Sequence, residues 1–177
     1  RNTGDMECQM NFTSSFTVSK DNSSNDGGLF ISRISYVNDS FIPIWIRQIS
    51  TDFPTGIFDL TTNNNGGITL GITFQDQITV GNLVLTGNDA KTLGIIHYDQ
   101  NGNPIWVNQI YSQPGIEEFG GMCYSDTGFL HIVGTFLDSV EIVDGDPAVG
   151  GSDVFVAQLD GDGNFTWKAF AGSTGDD

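Results

Sequence analysis

YVNDSFIPIW (36–45), YDQNGNPIW (98–106) and LDGDGNFTW (159–167) share one pattern: an apolar segment ends, a polar turn follows, and the next segment enters with tryptophan. Trp45, Trp106 and Trp167 are spaced by 61 residues each time. Two further landmarks keep nearly the same interval. Phe12, Phe74 and Phe136 recur at 62 and close GDMECQMNF (4–12), GGITLGITF (66–74) and GFLHIVGTF (128–136). Phe30, Leu93 and Phe155 open LFISRIS, TLGIIHY and VFVAQLD. Self-similarity at a fixed period marks a repeat architecture.

Within one period the pattern predicts four strands. They are 56–62, 67–74, 93–98 and 104–110 in one unit, and 119–125, 129–136, 154–159 and 165–171 in the next. Asn65-Gly66, Asn101-Gly102 and Gly161-Asp162-Gly163 supply the residues that tight hairpins need at positive φ. A variable loop, 78–90 or 140–153, separates the second strand from the third. No segment keeps a 3.6-residue apolar period. VFVAQL and GFLHIVG are apolar on both faces, as in a sheet packed between two others. Four strands in about 61 residues, repeated, predict an all-β chain of four-stranded antiparallel β-propeller blades. An immunoglobulin-like array would need about 100 residues per unit.

The string GGSDVFVAQLDGDGNFTWKAFAGSTGDD (150–177), preceded by GFLHIVGTF, resembles the seven-bladed β-propeller repeat of secreted and surface proteins. Residues 66–112 resemble it well. Residues 1–50 do so loosely, because the turn at Asn38 to Phe41 lacks the glycine. The resemblance implies a propeller and an extracellular setting, and it brings no catalytic residues with it.

In phase with the repeat, 1–52 is expected to be a partial blade lacking its innermost strand, 53–114 a blade, and 115–177 a blade ending at the link to another. Closed propellers need about four to eight blades. Fewer than three units are expected to be a window of a longer polypeptide or to be completed by neighbouring subunits. The start at Arg1, without Met, fits a processed or excised piece.

Six basic against 22 acidic residues give a net charge of −16. Arg1, Lys20, Arg33, Arg47, Lys91 and Lys168 are scattered along the chain, so nucleic acid and anionic membrane surfaces are poor partners and none is expected. No apolar run reaches the roughly 18 residues of a membrane helix, so no membrane insertion is expected. Cys8 and Cys123 are too few for a disulfide framework. Pairing with each other, pairing with absent segments, and buried thiols all stay open.

Asp160, Asp162 and Asn164 offer oxygens at alternate positions, as a calcium loop does. The EF-hand pattern fails, with Phe165 at its sixth position and Ala171 at its twelfth, so a hairpin held by its own side chains is the favoured alternative. Asp138, Glu141, Asp144 and Asp146 read as a solvated outer cluster. Sequons occur at Asn11, Asn22, Asn38 and Asn164; Asn38 and Asn164 fall at equivalent hairpins, Asn22 in a loop and Asn11 on a strand. His97 and His131 have no nucleophile motif around them and read as packing or surface residues. The tryptophans are structural first and a sugar-stacking platform second. The expected function is therefore a non-enzymatic extracellular structural or adhesive module, a building block of a filament or coat, without a cofactor. The alternatives are a glycan-binding propeller and a propeller enzyme whose site lies in blades outside this chain.

Overall fold

The computed structural model describes residues 9–11, 14–21, 28–51, 56–87, 92–113, 116–137, 139–141 and 152–172. They form strands and turns, with no helix among the described residues. The strands are β1 (Gln9–Asn11), β2 (Ser14–Asp21), β3 (Gly28–Val37), β4 (Ser40–Thr51), β5 (Gly56–Thr62), β6 (Ile68–Phe74), β7 (Gln77–Val80) and β8 (Leu83–Thr86). They continue as β9 (Thr92–Tyr98), β10 (Pro104–Gln113), β11 (Ile116–Tyr124), β12 (Leu130–Leu137), β13 (Ser139–Glu141), β14 (Ser152–Leu159) and β15 (Phe165–Ala171).

Three antiparallel sheets result, each built around a four-stranded meander: β1-β2-β3-β4, β5-β6-β9-β10 and β11-β12-β14-β15. The sheets are open. Segment 78–90, expected as a variable loop, carries the hairpin β7–β8 instead. Its alternating QITV buries Ile78 and Val80, and Gly81 at φ 62 makes the turn. β7 then crosses to the first sheet and pairs with β4 at Ser50↔Thr79 and Thr51↔Ile78. One period later β13 pairs with β10 at Ser112↔Val140 and Gln113↔Ser139. Each of the first two sheets is thus extended by a segment that follows in sequence.

The first sheet departs from the repeat's phase. Residues 4–12 were expected beside the third strand of their unit, but β2 lies there, with Phe16 opposite Arg33, and β1 adds outside it. SSFTVSKD alternates Ser or Thr with Phe and Val, a better strand sequence than the acidic and polar GDMECQMNF. Phe12, Cys8 and Asn22 lie outside the described residues.

Two apolar layers separate the sheets. Leu29, Ile31, Trp45 and Ile49 of the first sheet pack with Leu70, Ile72, Ile96 and Tyr98 of the second. Leu93, Ile95, Trp106 and Ile110 of the second pack with Ile132, Phe136, Phe155 and Leu159 of the third. β9 consequently has all seven residues buried, alternate ones serving alternate layers. Burying one such Leu or Ile contributes about 1.5–3 kcal/mol. On β14, by contrast, only every second residue is buried. Its two faces therefore end differently: one packs on the second sheet and the other is only partly buried.

Candidate functional site

Four hairpins at one end of the second and third sheets share one construction. Asn63, Asp99, Ser125 and Asp160 each bond backbone to backbone with the residue four on, and each accepts at its carbonyl from a glycine three on. Those glycines, Gly66, Gly102, Gly128 and Gly163, have φ between 76° and 87°. The first side chain closes the turn by accepting from backbone N–H groups. The Asp99 carboxylate takes Asn101 and Asn103 N–H, both at 2.8 Å, and Asp160 takes Asp162 N–H at 3.0 Å and Asn164 N–H at 2.8 Å. At Asp99, desolvation pushes the pKa up, but bonds from Asn103 and Asn101 outweigh it and hold the carboxyl below its usual range. Asp160 is also held low, first by the Asn164 amide.

The tryptophans act between sheets. In all three units the fourth strand carries a bulge one residue before the indole, at Ile44, Ile105 and Thr166. A bulge re-aims the next side chain. Trp45 crosses to the hairpin of the second sheet and donates from Nε1 to the Gln100 carbonyl at 3.0 Å; Trp106 donates to the Gly161 carbonyl at 3.1 Å. Each ring covers the hairpin glycine so closely that a Cβ would meet it at 2.5 Å on Gly102 or 2.6 Å on Gly163. Glycine is therefore required twice over, by φ and by the indole. The residue two beyond the tryptophan adds a clasp. Arg47 Nε donates to Gly102 O at 2.6 Å, and Asn108 Nδ2 donates to Gly163 O at 2.8 Å. Trp45 and Trp106 are 7% and 9% exposed, whereas Trp167 is 51% exposed.

Between the second and third sheets these hairpins enclose a cleft of about 380 Å³. Asn64, Asn65, Gln100 and Asn101 form its exposed rim, with His97 and Tyr124 at its inner end. Thr69 Oγ1 lies 2.9 Å from His97 Nδ1 and 2.7 Å from the Tyr124 hydroxyl. A chain in which Tyr124 O–H donates to Thr69, and Thr69 donates to a neutral His97, satisfies all three. Burial lowers the His97 pKa, against the opposing pull of Asp99 and of a hydrogen bond with the Ile68 backbone. Burial raises that of Tyr124, against the Thr69 hydrogen bond. His97 also stacks on Trp106 at 5.1 Å. In the third sheet the equivalent pair is His131 and Gln158, 2.9 Å apart.

The structure thus brings the tryptophans and the turn residues to one end of the sheets. The Asp160 oxygens proposed for calcium are the ones closing the turn; Asp162 is exposed, and the Asn164 amide also bonds Asp160. No group of three or more His, Cys, Asp or Glu side chains suited to a metal occurs among the described residues. Asn38 is exposed in the two-residue turn of the first sheet, with φ 50, followed by Asp39 at φ 58. Asn11 falls on β1. Phe74 and Phe136 are buried. Cys123 is exposed rather than a buried thiol, because it points away from the layer holding Met122. Asp138, Asp144 and Asp146 lie outside the described residues. Sequence reasoning missed the Thr69–His97–Tyr124 group, whose members come from three strands with no local motif. It also missed the convergence of Arg33 and Arg47 on the carbonyls of 100–102. No protein-family model matches the chain, and no curated protein matches it in sequence.

Proposed function

We propose that this chain is a run of successive blades of a propeller-type repeat protein, serving as a non-enzymatic structural or adhesive module outside the cell. The observation that carries the proposal is the third indole. Trp45 and Trp106 each lie under a hairpin of the following sheet, while Trp167, on the same bulged strand at the same interval, is half exposed. A further blade, in the same chain or on a neighbouring subunit, is its natural cover, and blades added between subunits build a filament or coat. A structural rather than catalytic role agrees with His97, which is buried and engaged in joining two sheets. The extracellular setting rests on the resemblance of 150–177 and on the sequons. Among the sequon residues that the structure describes, Asn38 is the best placed for a glycan, since it is exposed in a turn and the amide of Asn164 is committed to its own.

The test is to append after Asp177 a copy of residues 116–177 whose own tryptophan is replaced by phenylalanine, so that Trp167 stays the reporter. Trp167 emission is expected to shift to shorter wavelength, its quenching by acrylamide to fall, and the melting temperature to rise. If Trp167 stays as quenchable as before, the proposal fails.

A further inference from the structure

We infer that the cleft between the second and third sheets is a binding site for a short neutral saccharide. This goes beyond a structural role and does not depend on it. Size is the first argument: about 380 Å³ lies at the lower end of small-ligand pockets, which run from roughly 300 to 1,000 Å³. That suits a sugar of one or two rings rather than a peptide or a nucleic acid.

Charge is the second. In a chain of net charge −16, the cleft lining contains no Lys or Arg, so an anion would find no counter-charge. Its one carboxylate, Asp99, already accepts from Asn101 and Asn103, and a cation would find no second. Burial disfavours charge on the ring of His97. A neutral ligand is what remains.

Hydrogen-bonding chemistry is the third. Asn64, Asn65, Gln100 and Asn101 set four side-chain amides around one opening, each with a donor and an acceptor on the same planar group. Vicinal hydroxyls are both donor and acceptor and match such groups in pairs. The Tyr124 oxygen, after donating to Thr69, keeps lone pairs for a ligand hydroxyl. Gly128 and Gly161 line the wall, and a Cβ on either would meet nothing within 4 Å, so a ring can approach the backbone there.

The test uses the full chain, isotope-labelled, with the three tryptophan indole N–H signals as reporters. Trp106 donates to Gly161, a cleft residue, and Trp167 stands away from the cleft as an internal control. Neutral probes are glucose, galactose, mannose, N-acetylglucosamine and their disaccharides; sodium phosphate and calcium chloride are the charged probes. At least one neutral sugar is expected to move the Trp106 signal saturably and leave Trp167 in place. Combining Asn65→Ala with Asn101→Ala, both exposed, should weaken that binding about tenfold or more. Gly161→Gln, which narrows the cleft with the residue type standing at turn position 100, should weaken it as well. The inference is overturned if no sugar acts, if only phosphate or calcium moves Trp106, if the response centres on Trp167, or if both variants bind as tightly as the parent. A failure here leaves the Trp167 experiment untouched, and the reverse holds too.

Discussion

The two junctions between sheets solve one packing problem with different polar chemistry. Both lay an indole over a positive-φ glycine and bond its Nε1–H to a hairpin carbonyl. At the first junction the hairpin is then gripped by cations: Arg33 reaches Gln100 O at 2.9 Å, and Arg47 reaches Gly102 O at 2.6 Å and Asn101 O at 3.0 Å. At the second, Asn108 makes a single neutral bond to Gly163 O, and Thr69, His97 and Tyr124 form a buried polar group beneath. Indole on glycine is the shared element, because shape and φ together permit nothing else. The residue two positions on is free to change, since any donor of the right length reaches a carbonyl. In the third unit that position is Ala169, which has no side-chain donor.

The largest expected contrast lies between equivalent tryptophans. Trp45→Ala and Trp106→Ala should each destabilise the chain by about 3–5 kcal/mol, the usual cost of emptying a buried aromatic site. Trp167→Ala, which removes a ring already half exposed, should cost about half as much or less. Urea unfolding of the three variants measures this, and equal losses at all three positions would break the idea that the third indole lacks a cover.

A smaller difference separates the two clasps. Arg47→Ala should cost about 2 kcal/mol, as a charged donor on two carbonyls, and Asn108→Ala about 1 kcal/mol, as a neutral one. Exchanging the residues, Arg47→Asn with Asn108→Arg, would show whether the junctions tolerate each other's chemistry; total stability within about 1 kcal/mol of the parent is expected if each needs only a donor.

The smallest effect concerns pH. Burial holds His97 below its usual pKa, so the unfolded chain takes up a proton that the folded chain resists. The associated stability is complete above about pH 6.5 and is lost as pH falls from there toward the depressed folded value. His97→Gln, placing at 97 the residue type found at the equivalent 158, should flatten this part of the stability profile. Identical slopes for parent and variant below pH 6.5 would show that the His97 ring takes its proton as readily folded as unfolded.

Much of this was legible in the sequence because it is local. Strands at 56–62 and 165–171 match the expected bounds to the residue, since turn chemistry at Asn65-Gly66 and Gly161 to Gly163 delimits one end of each and aromatic and β-branched residues favour strand within them. The all-β class followed from the same features. What could not be read is long-range. Trp45 meets Gln100 and Trp106 meets Gly161 across 55 residues, and nothing within either segment names its partner. The arginines looked scattered because sequence distance hides their convergence on one hairpin. β7 and β13 were hidden for a related reason: strands of four and three residues are too short to stand out, and their pairing partners belong to the preceding sheet. The first unit misled by its phase, where strand propensity at 14–21 won over repeat position.

The crossing of β7 and β13 also has a mechanical consequence. A pull that separates neighbouring sheets cannot simply straighten the connection between them. It must break the β4–β7 or β10–β13 ladder as well as lift an indole from its glycine, so tension on the chain is carried by backbone hydrogen bonds. The sheets are less like beads on a string than like links, each hooked into the one before.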